Sequence, residues 1–182
     1  KNNNIFNIKQ TRKIGVVCHD AGGAEILSSY IKQYNINSNY CLDGPAIDIF
    51  KKKIGNILVN NLEAVIDNSD LILCGTSRQS DLEWNAIYKA NKVRKKTISI
   101  IDHWVNYRGR YMRNGLINYP TEIWVCDSYA YKIATEIFPS IVIKKITNPY
   151  LLDIKIDWHN LKNMNRINDS KNDVLFISDN IK

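Results

Sequence analysis

Long apolar runs are missing from this 182-residue chain. The longest apolar stretches are a few residues, around Ile98–Ile101, whereas a membrane-spanning helix needs about 20 apolar residues. An integral membrane segment is therefore not expected. No apolar h-region follows Lys1-Asn2-Asn3-Asn4, so no secretory signal is expected either. Cysteine is scarce, with Cys18, Cys41, Cys74 and Cys126 the only four, and no CxxC pair exists. A zinc ribbon is excluded on that spacing, and neither metal nor cofactor is expected. Each cysteine ends or follows an apolar run, the position of a small buried hydrophobe. A reducing, cytoplasmic setting fits that usage. There is no GxSxG nucleophile elbow, no GxGxxG fingerprint and no Walker lysine.

What is present is the composition of a globular domain. Hydrophobic residues make up 45% and charged residues 24%, which excludes disordered, collagen-like and coiled-coil classes. The net charge of +7 invites a nucleic-acid or membrane reading. The cations are dispersed, however. Lys51-Lys52-Lys53, Arg94-Lys95-Lys96 and Lys144-Lys145 stand far apart, with no aromatic-basic ladder between them. Nucleic acid is not an expected partner. Peripheral membrane contact stays open, and the excess charge suits a solvated face or an anionic substrate.

Apolar runs alternate with helical spacings. Ile14–Cys18, Tyr40–Leu42, Ile57–Val59, Leu71–Cys74, Ile98–Ile101, Ile123–Cys126 and Ile141–Ile146 read as strands. Between them Leu27, Tyr30, Ile31 and Tyr34 repeat at helical spacing, as do Leu62, Val65 and Ile66. A short helical stretch after Asp43-Gly44-Pro45 runs to Lys53. Ser80-Asp81-Leu82-Glu83 reads as a capping box opening a helix that buries Leu82, Ala86, Ile87 and Ala90. Asp127 or Ser128 caps a helix carrying Ala130, Ile133, Ala134 and Ile137 on one face. Strands alternating with helices imply parallel pairing through right-handed crossovers. The expected class is α/β, a Rossmann-like doubly wound parallel sheet of about six or seven strands with helices on both faces.

Such sheets bind ligands outside the carboxyl ends of their strands, which singles out three loops. The first is Cys18-His19-Asp20-Ala21-Gly22-Gly23, after the first strand. Gly22 and Gly23 permit close backbone approach, and the following helix start offers free amides to an anion. His19 serves there as a base or hydrogen-bond partner. Alternatively, the loop is a tight turn with Asp20 as its cap. The second is Gly75-Thr76-Ser77, whose hydroxyls suit a sugar or phosphate and are not needed for the Ser80 cap. The third is the densest in chemistry: Asp102, His103, Trp104, Asn106, Tyr107, Arg108 and Arg110, with Arg113 at i+3 giving a cationic face if a helix forms. Trp104 or Tyr107 would stack on a sugar or base, and Arg108 and Arg110 would bind phosphate. The plainer reading has Trp104 plugging the core and the arginines solvated.

Residues 155–173 are polar and Asn-rich, a linker or crossing helix with an amphipathic turn around Trp158, Leu161 and Met164. Residues 174–182, with the apolar run Val174–Ser178, read as an edge strand or as the start of a second domain. The main domain is placed at residues 12–154.

The loop order resembles the N-terminal domain of the GT-B superfamily, which includes glycosyltransferases and the UDP-N-acetylglucosamine 2-epimerases. The matching residues are the loop His19-Asp20-Ala21-Gly22-Gly23, the strand Asp70–Gly75, the loop Asp102-His103-Trp104, the strand within Pro120–Asp127, and the turn Asn148-Pro149. The strings His19–Ala24 and Asp102–Tyr107 are similar to proteins associated with bacterial surface-polysaccharide biosynthesis. The resemblance implies the acceptor-side domain of a glycosyltransferase that partners a second Rossmann-like domain and handles a nucleotide-sugar or anionic sugar. An epimerase, a hydrolase or a non-catalytic binding module on the same scaffold is the alternative. His103 or His19 would be the general base, oriented by Asp102 or Asp20. Asn148 would belong to the turn closing the domain.

Overall fold

The first strand, β1 (Ile14–Cys18), is buried along its whole length. This is the environment of a central parallel strand covered on both faces. The structure is a computed structural model, and it describes residues 13–163. Within it β1 is followed by α1 (Ala21–Gln33), β2 (Ser38–Leu42), α2 (Ala46–Ile54), α3 (Leu62–Asp67), β3 (Leu71–Cys74), α4 (Leu82–Lys92) and β4 (Lys96–Ile100). A 3-10 turn at Gly109–Tyr111 then leads to β5 (Met112–Arg113), β6 (Leu116–Ile117), β7 (Glu122–Val125), α5 (Ser128–Ile137), β8 (Val142–Lys145) and α6 (Pro149–Asn163).

Six strands form one parallel sheet in the order β2-β1-β3-β4-β7-β8. Side chains alternate across it, as the two-residue period of a strand requires. Ile14, Val16, Leu71, Leu73, Ile98, Ile100 and Trp124 meet α1 and α2 through Leu27, Tyr30, Ile31 and Phe50. Val17, Ile72, Cys74, Ile123 and Val125 meet α3, α4 and α5 on the opposite face. There Ala86, Ala90, Ala130 and Ala134 present small side chains that let the helices lie close. Gly15 serves the same packing in the sheet, since a Cβ there would come within 2.6 Å of Ile72 Cδ1 and 2.8 Å of Val65 Cγ1. Each buried aliphatic side chain contributes about 1.5–3 kcal/mol relative to exposure, so these two layers hold the fold. The doubly wound α/β class expected from the sequence is what the chain adopts.

Three local expectations change. Ile57–Val59 does not become a strand. Val59 makes a single parallel bridge to Tyr40, and Asn60 donates to the Tyr40 carbonyl at 2.7 Å. The run is too short, because α2 ends at Ile54 with Gly55 as its C-cap, and Asn61 already caps α3 by accepting from Ala64 N at 2.8 Å. The capping box at α4 is not made. Asp81 stands at the N-cap without a side-chain cap bond, and Glu83 points into the core instead. No long helix carries Arg110 and Arg113 on one face, since Arg113 lies in the β5–β6 hairpin. That hairpin turns on Asn114 and Gly115, both at positive φ (50° and 76°), the signature of a tight two-residue turn.

The chain divides into two units, the first ending at Tyr150 and the second beginning at Leu151. The sequence boundary at 154 falls inside α6. Residues 155–163 belong to that helix, while the expected strand Val174–Ser178 lies outside the described residues. No described helix is long and apolar enough to cross a membrane.

Candidate functional site

The chain leaves β1 to form β2 on one side and returns to form β3 on the other. The carboxyl ends of β1 and β3 therefore diverge into loops that run to opposite faces, which opens the crevice where α/β sheets bind ligands. His19 and Asp20 leave β1 into this crevice, and Gly75, Thr76 and Ser77 leave β3.

His19 is held at three points. Its backbone N–H donates to Glu83 Oε1 at 2.7 Å. Its carbonyl accepts from Ala46 N at 3.2 Å, which ties it to the loop after β2. Its Nδ1 lies 2.7 Å from Asp20 Oδ1. The far side of the ring faces Gly44, where a Cβ would come within 2.6 Å of Nε2. Gly44 has φ of 52°, so glycine meets both the backbone and the space requirement there. Asp20 occupies the N-cap position of α1 but makes no side-chain cap bond, against the expectation of a simple cap. Its carboxylate instead takes the His19 ring and the Ser77 hydroxyl, which donates at 2.7 Å.

The hydroxyls of the second loop are already committed. Ser77 Oγ also accepts from Gln79 N and Ser80 N, both at 3.0 Å. Thr76 Oγ1 donates to the Ile100 carbonyl at 3.3 Å and accepts from Arg110 Nη1 at 2.6 Å. Both residues are buried, so they brace the crevice rather than offer free groups to a sugar. Gly23 and Gly75 pack against each other, since a Cβ on Gly23 would stand 3.3 Å from the Gly75 Cα. That contact forms the crevice floor.

The third loop divides between core and surface. Arg110 is buried and pairs with Asp102 Oδ1 at 2.9 Å, so it is not free to bind phosphate. Asp102 Oδ2 presses against Gly22 at the start of α1. The helix end expected to receive an external anion thus already faces a carboxylate of the chain itself. Tyr107 is buried, stacked on Phe138 with ring centroids 6.3 Å apart, and cannot stack on a sugar. Trp104 is 56% exposed rather than a core plug, and donates from Nε1 to Asp127 Oδ2 at 2.9 Å. His103 is exposed and makes only a tilted ring contact with Trp104 at 6.0 Å. Asn106 sits at φ 58° and accepts from Arg110 N through its carbonyl. Arg108 is exposed. Arg113 is a clamp, bound to Asp81 and to the Ser77 and Ser80 carbonyls. Asn148 lies after β8, where its Oδ1 accepts from Tyr150 N at 3.0 Å.

Sequence reasoning missed Glu83 as a site residue. The residue is 2% exposed, and its Oε2 has no hydrogen-bond partner among the described residues. Burial pushes its carboxyl up to about 7, against the lowering effect of the His19 amide. The signal was its spacing. Glu83, Ala86, Ile87 and Ala90 stand at i, i+3, i+4 and i+7, which places the acid on the buried face. Burial likewise raises the thiols of Cys18 and Cys74 well above the ordinary range, so neither is a nucleophile. No group of three metal-ligating side chains converges among the described residues. A depression of about 600 Å³ lies at the other edge of the sheet, lined by Arg94, Lys96 and Glu122 among others. Lys96 and Glu122 open β4 and β7, so the depression is remote from the loops that carry the histidines.

The chain matches no family model, no curated protein and no solved structure with which it was compared.

Proposed function

We propose that this domain is the acceptor-side half of a GT-B-type glycosyltransferase of surface-polysaccharide biosynthesis, with His19 as its general base. The observation that carries the reading is the chain Ser77–Asp20–His19 at the switch point of the sheet. Asp20 accepting from Nδ1 leaves Nε2 as the proton-accepting nitrogen. Gly44 packs against the Nε2 edge of the ring, where a Cβ would stand only 2.6 Å from Nε2, and the imidazole keeps 16% of its surface open to solvent. An acceptor hydroxyl that reaches Nε2 from the open side of the ring gives its proton to it as its oxygen attacks the anomeric carbon of the donor. The bond from that carbon to the leaving phosphate oxygen breaks, and the phosphate keeps the electron pair.

The charge around the crevice supports the acceptor role over a phosphate site. Asp20, Asp43, Glu83 and Asp102 gather there, and the cation buried beside them, Arg110, is engaged by Asp102. A neutral, hydroxyl-rich acceptor suits these carboxyls, while a nucleotide diphosphate would sit on a second Rossmann-like domain. Exposed Trp104 and Arg108 are the groups left to meet the remainder of the substrate. The free cysteines suit a cytoplasmic setting.

The test is sugar transfer from nucleotide-sugars by the protein expressed from its natural reading frame. His19→Ala should lower kcat by about 10²–10⁴-fold, the usual contribution of a general base, while His103→Ala should leave it nearly unchanged. An unchanged rate in His19→Ala would remove the base assignment. Product formed without any acceptor would move the reading to an epimerase or hydrolase.

A further inference from the structure

Glu83 is the buried group that the proposed chemistry does not use. Its Oε1 anchors the backbone of the residue that carries the imidazole, and its Oε2 is enclosed without a partner. Buried polar atoms are nearly always paired, and an unpaired carboxylate oxygen in such a place is costly. Its surroundings offer little compensation. Gly75 and Cys18 lie on the Oε1 side, because a Cβ at Gly75 would meet Cys18 Sγ at 3.0 Å and Glu83 Oε1 at 3.5 Å.

We propose that Glu83 is the positioning residue of the crevice: protonated, it latches the β1–α1 loop, and with it the His19–Asp20 pair, against the ends of β1 and β3, and loss of that proton releases the loop. The neutral acid keeps one carbonyl oxygen for the His19 N–H and carries no charge into the core. The carboxylate puts a charge where only backbone amides, those of His19 and of Glu83 itself, meet it and Oε2 stays unpaired, and the cheapest relief is for the loop to open toward water. The elevated carboxyl, at about 7, places this change near neutrality. The titratable groups facing Glu83 are His19 and Asp20 from the β1–α1 loop, Cys18 of β1, Cys74 of β3 and, farther off, Cys41 of β2. The three thiols are raised by burial and stay neutral. The consequence for catalysis rests on His19 being the base, whereas the latch itself is measurable without any sugar.

The experiment is amide hydrogen exchange of residues 19–23, corrected for intrinsic rates, as pH rises from about 4.5 to beyond about 7. In the wild type, opening should increase by up to about tenfold per pH unit and level off near the Glu83 midpoint. Glu83→Gln keeps an acceptor for the His19 N–H and cannot ionise, so its opening should be flat across that range. His19→Gln should retain the wild-type slope. The ¹³C signal of the Glu83 carboxyl in the wild type gives the midpoint independently, should Glu83→Gln fail to fold. A slope that persists in Glu83→Gln, a slope lost in His19→Gln, or a carboxyl titrating near 4.5 would each overturn the latch. A failed latch with turnover still lost in His19→Ala leaves the proposed function standing. An intact latch with turnover unchanged in His19→Ala removes the function alone.

Discussion

Two buried glutamates sit at opposite edges of the same sheet and behave in opposite ways. Glu83, at the carboxyl edge, is met only by backbone amides and has an unpaired oxygen, and burial raises it. Glu122, at the amino edge, is likewise only 4% exposed. Burial pushes it upward too, but hydrogen bonds from Lys96, Trp124 and Lys144 outweigh that and hold it low. Lys96 Nζ and Lys144 Nζ approach its two oxygens at 2.7 and 2.9 Å, and Trp124 Nε1 donates at 2.6 Å. Glu83 lies deeper in the fold than Glu122, but low exposure is common to both and does not by itself set the sign. Partners do, and they make one edge a rigid ionic joint and the other a place where a proton resides.

The largest expected effect concerns pH. Glu83 is raised in the folded chain, so between about 4.5 and about 7 the native state binds more protons than the unfolded state. Its contribution then falls as pH rises through that window, by at most about 3 kcal/mol from 1.36 kcal/mol per pKa unit. Denaturant unfolding of wild type and Glu83→Gln at several pH values isolates this contribution, because the other groups titrate in both proteins. A constant difference between the two across the window would erase the contrast with Glu122.

Glu122 should show the opposite sign. Its lowered carboxyl contributes stability above its ordinary value of 4.5 and loses it as pH falls below that. Glu122→Ala should cost about 2 kcal/mol at neutral pH and less in acid. That is below the 3–5 kcal/mol of a fully buried broken pair, because both lysines reach solvent. Equal losses at neutral and acid pH would show that packing, not charge, holds this edge. The smallest effect belongs to Lys144→Ala, at about 0–1 kcal/mol, since Lys96 remains on the same carboxylate. A loss as large as that of Glu122→Ala would mean that the two lysines act as one unit.

Much of this arrangement was legible in the residues. Short apolar runs such as Ile14–Cys18 and Leu71–Cys74 are strands because each residue meets a covered face, and their order implied the doubly wound sheet. Placing His19 and Asp20 at a strand end needed only the run that precedes them. Partner choice is harder to read. Ser80 and Glu83 have the spacing of a capping box, yet Glu83 lies on the same helical face as Ala86 and Ala90, and tertiary contacts with the β1 loop won over the local cap. Tyr107 and Arg110 look as exposed in sequence as Trp104 and Arg108. Only the packing of the loop on Phe138 and Thr76 separates the two pairs. Asn114-Gly115 carries the signal of a tight hairpin turn in the residues themselves, since both take positive φ.

The press of Asp102 against Gly22 reaches beyond the folded chain to how it can change over generations. Any side chain at position 22 presses on that carboxylate and disturbs its ion pair with Arg110, whose guanidinium then keeps only neutral partners, Thr76 and the Val105 carbonyl. A smaller, uncharged residue at 102 would open room at 22 but would leave the same cation without its carboxylate. The three positions therefore form a single inherited unit, in which a first substitution at any one of them is penalised until the others follow.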